Sequence, residues 1–249
     1  MAEFKIAGRP VGAQVDLLVG QSIDIDFFGD KGKDINAEIV LFVGGAIKLA
    51  EQKSPMPAVF RRFRVTGTSV GPVTVTRDPK PAFNINVKFT KEQEFIERVA
   101  KAAAPLAKEF AMPMSVIVGV ACTEAAFGKS THPNWFGITK REGQNWFPSC
   151  KRTASGTTEA IAGKGNVTDS FCVAESDENN VRMFCEFVKF NKSGGGSLTY
   201  KGGGWTRDEL KQYPRVLNES MNFAMKAPKG AYETTVMGVI DQFNLTRFD

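Results

Sequence analysis

The chain has 249 residues, 42% of them hydrophobic and 24% charged, the profile of an ordinary soluble globular protein with apolar material for one large domain or two modest ones. No apolar run reaches the ~18–20 residues needed to span a bilayer, and the formal charge of +5 favours anionic partners such as nucleic acid, acidic lipid or the carboxylate-bearing bacterial cell wall. Four scattered cysteines and one histidine, His132, exclude a disulfide-built scaffold and a Cys/His zinc site, and no metal or other cofactor is expected.

The opening "MAEFKIAGRPVG" lacks the basic start and apolar core of a secretory signal, so synthesis in the cytoplasm is expected. From Val15 to about Phe89, short runs such as "IDIDFF", "AEIVLFV", "FRRFRVTG" and "GPVTVTR" alternate apolar and polar residues between Gly, Asp and Pro clusters. That period predicts strands, and the spacing suggests a small antiparallel sandwich or barrel of roughly five to seven of them, over residues 1–89. In "FRRFRV", Arg62 and Arg64 share one strand face. With no helix-turn-helix or RNA-binding signature nearby, this reads as a solvated face, and no nucleic-acid partner is expected.

At Thr90 the period changes. Thr90 and Gln93 have the spacing of a capping box, and Phe95, Val99, Leu106 and Phe110 recur at helical spacing through "KEQEFIERVAKAAAPLAKEFA", with Pro105 expected to kink or divide the segment. A second helix starts at "MPMS", and "SVIVGVACTEAAF" is apolar on every side until Glu124, the mark of a buried central helix that Gly128 should end. Residues 141–175 return to strand-like pieces, "NVTDSFCVAE" the clearest. Ser176 then starts a helix whose buried face is Val181, Phe184, Cys185 and Val188. The segment "SGGGSLTYKGGGW" reads as a mobile loop, and two further amphipathic helices follow in "WTRDELKQYPRVLNESMNFAMK" and "GAYETTVMGVIDQFNL". The fold class is α+β, a β-rich domain over 1–89 and a mainly helical one with a small β-lobe over 90–249.

Glu124 carries the functional signal. An ionised carboxylate at the end of an all-apolar helix is costly, so it either finds a partner or keeps its proton. No Arg or Lys lies within the preceding turn, and Lys129 is past the glycine. A carboxyl held protonated near neutral pH is what a general acid needs to protonate a departing glycosidic oxygen. Ala125 and Ala126 leave room beside it, and Trp135 and Phe136 offer flat faces for sugar rings. The competing reading is a helix-ending glutamate that reaches water. A Cys122–His132 peptidase pair is a further alternative, disfavoured because Cys122 lies inside the apolar helix. "FGKS" is not a phosphate loop, since position 123 is threonine where glycine is required. The cysteines read as buried small residues, with pairing of Cys150 and Cys172 as the alternative in an oxidising place.

From about Phe95 to the C-terminus, "ACTEAAFGKS" and "NWFGITK" resemble the bacterial and phage peptidoglycan glucosaminidases of the flagellar-hydrolase and autolysin type, which have a lysozyme-like fold. Ala125 and Ala126 depart from the Ser or Thr and Gly common there. "TTEAIAGKGNVTDSFCVAESDENNVRMFCEFV" continues the resemblance and places Glu159 on the family's second carboxylate, carried by a flexible β-lobe. Asp169 and Glu142 are its replacements if it proves remote. "APKGAYETTVMGVIDQFNL" resembles the closing helix, with Tyr232 on the family tyrosine; a second tyrosine about six residues earlier is replaced by Lys226.

The resemblance implies a peptidoglycan hydrolase cleaving β-1,4 glycosidic bonds, with Glu124 and Glu159 catalytic and Asn134, Trp135, Phe136 and Tyr232 contacting substrate. The carboxylate separation, unknown from sequence, chooses among retaining, inverting and substrate-assisted routes. The alternatives are N-acetylmuramidase specificity and a non-catalytic wall-binding module. With no signal, delivery to the wall by a phage particle, cell lysis or a specialised secretion machine is expected, with a carrier for the β domain to dock, or an immunity protein, as the candidate partner; the sequence does not reveal whether an inhibitor guards the producer.

Overall fold

The computed structural model describes residues 3–29, 40–52, 60–77, 80–140, 148–154, 158–161, 165–168, 170–191, 197–221, 228 and 230–249, and gives the backbone alone for the strands within 158–168. The chain divides into two compact units, Met1–Thr90 and Lys91–Asp249.

The first unit is a sandwich of two open sheets. One has the order β2-β1-β4-β7-β6 and is built from β1 Glu3–Ile6, β2 Arg9–Pro10, β4 Ser22–Phe28, β6 Ile47–Gln52 and β7 Phe60–Gly67. The other has the order β3-β9-β8-β5 and is built from β3 Gln14–Leu18, β5 Val40–Val43, β8 Gly71–Arg77 and β9 Lys80–Lys88. Alternate residues Ile25 and Phe27, Phe63 and Val65, Val73 and Val75, and Phe83, Ile85 and Val87 meet in one core between the sheets, as a period of two demands.

The described strands number nine rather than five to seven, because short pairings such as β1–β2 carry too few residues to show a pattern. The sandwich is not wholly antiparallel, since β3 runs parallel to β9. A parallel pair needs a long connection, and strands β4 to β8 lie between these two in sequence. Among the described residues, neither sheet closes into a barrel. On the outer face, Arg62 and Arg64 lie opposite Asp26 and Asp24 in two-pronged ion pairs, at 2.5 and 2.8 Å and at 2.9 and 3.0 Å. Exposed pairs of this kind add at most about 1 kcal/mol each; they fix register and neutralise the basic stripe.

The second unit surrounds α2 Met114–Glu124, whose residues 115–122 are all buried. α1 Lys91–Phe110 packs on α2 and on α3 Asp177–Phe190, and α5 Ala231–Gln242 packs on α2 and on α4 Arg207–Glu219. α1 passes Pro105 without being divided. The ring forfeits one backbone bond, and burial of Ala103, Leu106, Ala107 and Phe110 on either side outweighs it. Pro113 precedes α2 and offers no capping side chain. Asp249 substitutes for one, accepting from Ser115 N at 2.8 Å and Ser115 Oγ at 2.6 Å, where helix N-terminal amides favour an anion. α3 begins at Ser176, whose hydroxyl accepts from Asn179 N at 3.0 Å.

Gly119 lets α2 and α5 touch: a Cβ there would stand 2.9 Å from Ile240 Cγ1. Gly119→Ala is therefore expected to cost about 1–3 kcal/mol by overpacking. A thermal melt should show a fall of several degrees, and an unchanged melting temperature would mean that the helices part freely.

The β-lobe comprises a three-stranded sheet, β10-β14-β11 (Thr139–Lys140, Ser170–Cys172, Thr153–Ala154), and a separate hairpin of β12 Thr158–Ile161 and β13 Gly165–Thr168. The cysteines are not four isolated residues. Cys150 and Cys172 form a disulfide with Cα atoms 5.4 Å apart, while Cys122 and Cys185 are buried and free. Closing a 22-residue separation is worth about 3 kcal/mol in the loop-entropy picture.

Within "SGGGSLTYKGGGW" the stretch from Ser197 on is packed rather than loose. Leu198 is buried, the Tyr213 hydroxyl donates to Thr199 O, and Lys201 N donates to Ala111 O at 2.9 Å. Its apolar Leu and Tyr outweigh the neighbouring glycines. Among the described residues no helix is long and apolar enough to cross a membrane.

Candidate active site

α2 ends at Glu124 itself, four residues before the glycine expected to stop it. The chain then turns through Ala126, Phe127 and Gly128 at φ of 46°, 56° and 82°. Two successive non-glycine residues in the left-handed region each cost on the order of 1–3 kcal/mol, and such strain concentrates at working sites. Packing sustains it here: Phe127 lies 5.2 Å from Phe243, and a Cβ on Gly128 would stand 2.9 Å from the Phe95 ring. The turn frees the end of the helix and leaves the Glu124 side chain half-buried.

Burial raises the Glu124 carboxyl above its ordinary range, and a contact from the Tyr232 hydroxyl partly offsets this by favouring the ionised form. Tyr232, in the first turn of α5, is itself buried, and its phenol is driven upward by burial and by the charge on Glu124. The contact is looser than a direct hydrogen bond. Gly137, at φ 62°, borders the carboxyl on another side, where an added Cβ would stand 4.0 Å from Glu124 Oε2. This glycine belongs to the "NWFG" cluster; its place at the carboxyl is not legible from the sequence, where a glycine after two aromatics is the only signal.

The rest of the cluster is spent on architecture. Asn134 is buried; its amide donates to Ile138 O at 3.0 Å and Cys172 O at 2.7 Å, and its oxygen accepts from Phe136 N at 3.1 Å and Ile138 N at 2.8 Å. All four bonds shape the turn that carries Gly137 and pin it to β14, which leaves no amide atom for a sugar. Phe136 is 1% exposed and stacks on Phe184 at 4.3 Å, so its face meets the core.

Trp135 is only partly buried. It stands edge-on to Phe95 at 5.5 Å with the Arg98 guanidinium 5.2 Å over its ring, and it lines a cavity of about 420 Å³ together with Arg98, Ala125, Phe127, Gly128 and His132. Glu124 does not line that cavity; the 125–128 turn connects the two.

Glu159 sits on the β12–β13 hairpin opposite Val167. Its side chain lies outside the described residues, as do Glu142 and Asp169. The structure thus brings Glu124, Tyr232 and Gly137 together. A thiol nucleophile finds no support: Cys122 is fully buried and burial pushes its thiol up to about 12, so thiolate is scarce near neutral pH. Among the described residues no group of three or more His, Cys, Asp or Glu side chains is placed to hold a metal ion.

No protein-family model and no curated protein sequence matches the chain. Solved structures similar to it include the catalytic domain of the Listeria monocytogenes autolysin Auto, at 19% identity and a TM-score of 0.45 over 64% of this chain and 88% of that one. An N-acetylmuramoyl-L-alanine amidase from Staphylococcus aureus is similar at 20% identity and a TM-score of 0.47, over 70% of this chain and 47% of that one. The glycoside hydrolase domain of Salmonella typhimurium FlgJ is similar at 15% identity and a TM-score of 0.43, over 63% and 90%.

Proposed function

We propose that residues 91–249 hydrolyse β-1,4 glycosidic bonds of peptidoglycan, with Glu124 as the general acid. The supporting observation is the setting of that carboxyl: it ends a buried helix, burial raises its pKa above the ordinary glutamate range, and it is flanked by a glycine rather than a bulky side chain. A carboxyl whose pKa is raised in this way is suited to protonate a leaving oxygen. Glu159 is the second carboxylate of this reading, and Trp135 the side chain that meets sugar. Tyr232 positions the acid rather than stacking on substrate, and Asn134 and Phe136 shape the turn beside it.

Digestion of purified wall, borohydride reduction and mass analysis of the fragments tests both the activity and the bond. Reduced N-acetylglucosamine at the new ends would support glucosaminidase action, and reduced N-acetylmuramic acid would assign the other glycan bond. Peptide fragments without new reducing ends would overturn the proposal.

Activity requires protonated Glu124, so the rate should fall as pH rises through its elevated pKa. Tyr232→Phe removes the contact that favours the ionised carboxylate, so the alkaline limb of the pH–rate profile should move upward. An unmoved limb would show that the hydroxyl does not act on the acid.

The first unit is proposed to dock the enzyme to a carrier that brings it to the wall. Unchanged delivery after removal of residues 1–89, with activity retained, would contradict that role.

A further inference from the structure

We propose that the cavity behind the 125–128 turn is a second substrate subsite, which takes the stem peptide of peptidoglycan by pairing a peptide carboxylate with Lys91 and a peptide ammonium with Glu94. The inference rests on the glycosidase reading above and adds the peptide to its substrate.

The cavity is separate from the acid but shares its support. Ala125, the residue after Glu124, is one of its walls, while Glu124 itself does not line it. A ligand held there sits against the turn that presents the acid, so a branch of the glycan and the bond to be cut can be held together. A volume of about 420 Å³ is in the range of small-ligand sites and suits a short peptide rather than a folded partner. The walls are fixed before a ligand arrives. Trp135 N donates to Asn180 Oδ1 at 2.8 Å, Phe95 packs against Gly128, and the Arg98 guanidinium over the Trp135 ring is held by Asp177 through bonds of 2.7 and 2.6 Å. A site ordered in advance loses little of its binding energy to ordering.

The charges select the ligand class. Arg98 is neutralised by Asp177, and Lys129, beside the cavity in sequence, is paired with Glu92 at 3.3 Å. Lys91 and Glu94 both line the cavity and are exposed. They stand three positions apart on α1, a spacing that permits an ion pair, yet among the described residues neither has an ion-pair or side-chain hydrogen-bond partner. A polyanion would meet repulsion from Glu94. A neutral glycan would strip water from both charges and replace it with nothing of equal strength. A zwitterion satisfies the two at once. Stem peptides are of that kind, with carboxylates on the glutamyl residue and at the chain end and a free amine on the diamino acid. Trp135 and Phe127 give the apolar wall against which the methyl and methylene groups of such a peptide can lie.

Binding is tested on the full-length chain carrying Glu124→Gln, titrated with N-acetylmuramyl-L-alanyl-D-glutamyl-L-lysine and followed by the Trp135 indole N–H resonance, which Trp135→Phe assigns. Adding Lys91→Ala or Glu94→Ala should raise Kd by about twofold to fivefold each, the size of an exposed ion pair, and both together by about tenfold. Acetylating the lysyl amine should weaken binding to the same extent as Glu94→Ala and have no further effect on that variant. Both side chains are exposed, so melting temperatures should stay at the parent value. On purified wall, with Glu124 restored, the substitutions should raise KM toward the wild-type value for glycan freed of its peptides, the effect falling on KM rather than kcat. An indole resonance that stays in place at millimolar peptide, equal Kd values for parent and variants, or equal wild-type KM for intact and peptide-free glycan would overturn the subsite and leave the glycosidase reading standing. Absence of reducing ends from the wild type on either substrate would remove the glycosidase reading and, with it, this role for the cavity.

Discussion

Glu124→Gln is expected to abolish release of reducing ends, by on the order of 10²–10⁴ for loss of a positioned acid, and at the same time to raise the melting temperature at neutral pH. The second effect follows from linkage. Burial raises the folded-state pKa of Glu124, so the folded protein holds this proton more tightly than the unfolded chain, where glutamate titrates near about 4.3. The associated stability is present below that value and is lost as pH rises through the folded pKa. At neutral pH the wild type therefore carries a cost that a neutral amide of the same shape removes. The gain should fade below about pH 4, where both states are protonated. A variant that is inactive and less stable at pH 7 would mean that the carboxylate is held by favourable partners rather than strained by burial.

Asn134→Asp should destabilise the second unit by about 3 kcal/mol or more. The substitution keeps the shape but removes both amide donors, leaving Ile138 O and Cys172 O facing a carboxylate instead of N–H groups. Each buried group left unsatisfied costs about 1–3 kcal/mol, and a charge against two carbonyl oxygens adds repulsion. The introduced carboxyl would have a raised folded pKa, so part of the stability should return as pH falls toward the ordinary aspartate value, about 3.9. Chemical denaturation across pH measures both effects. Because the residue serves the turn, KM of whatever fraction remains folded should change little; a higher KM with normal stability would return Asn134 to the substrate.

Period and punctuation made the elements legible. Ile25 and Phe27 against Asp24 and Asp26 announce a half-buried strand, and the apolar stretch before Glu124 announces a central helix. What a linear pattern cannot show is which partner each polar group finds. Asn134 beside two aromatics has the composition of a sugar site, yet its four bonds run to the backbone. Tyr232 lies 108 positions from Glu124 in sequence and reaches it because α5 packs closely on α2, an approach that Gly119 permits.

The disulfide is of the same kind. Bonding requires Cα atoms within about 7 Å, a distance set by β14 pairing with β11 and invisible in the spacing of four cysteines. α2 ends before Gly128 for a different reason: glycine is the usual left-handed residue, and here Ala126 and Phe127 adopt that conformation first, under tertiary packing that no local preference foretells.

Burial raises the Glu124 carboxyl above the ordinary glutamate range, and the proposed role as general acid depends on that shift. Carbon-13 NMR titration of the side-chain carboxyl groups, with Glu124→Gln to assign the resonance, measures this directly. A midpoint well above about 4.3, moving further up in Tyr232→Phe, is expected; a midpoint at or below that value would rule out burial as what sets this carboxyl's titration.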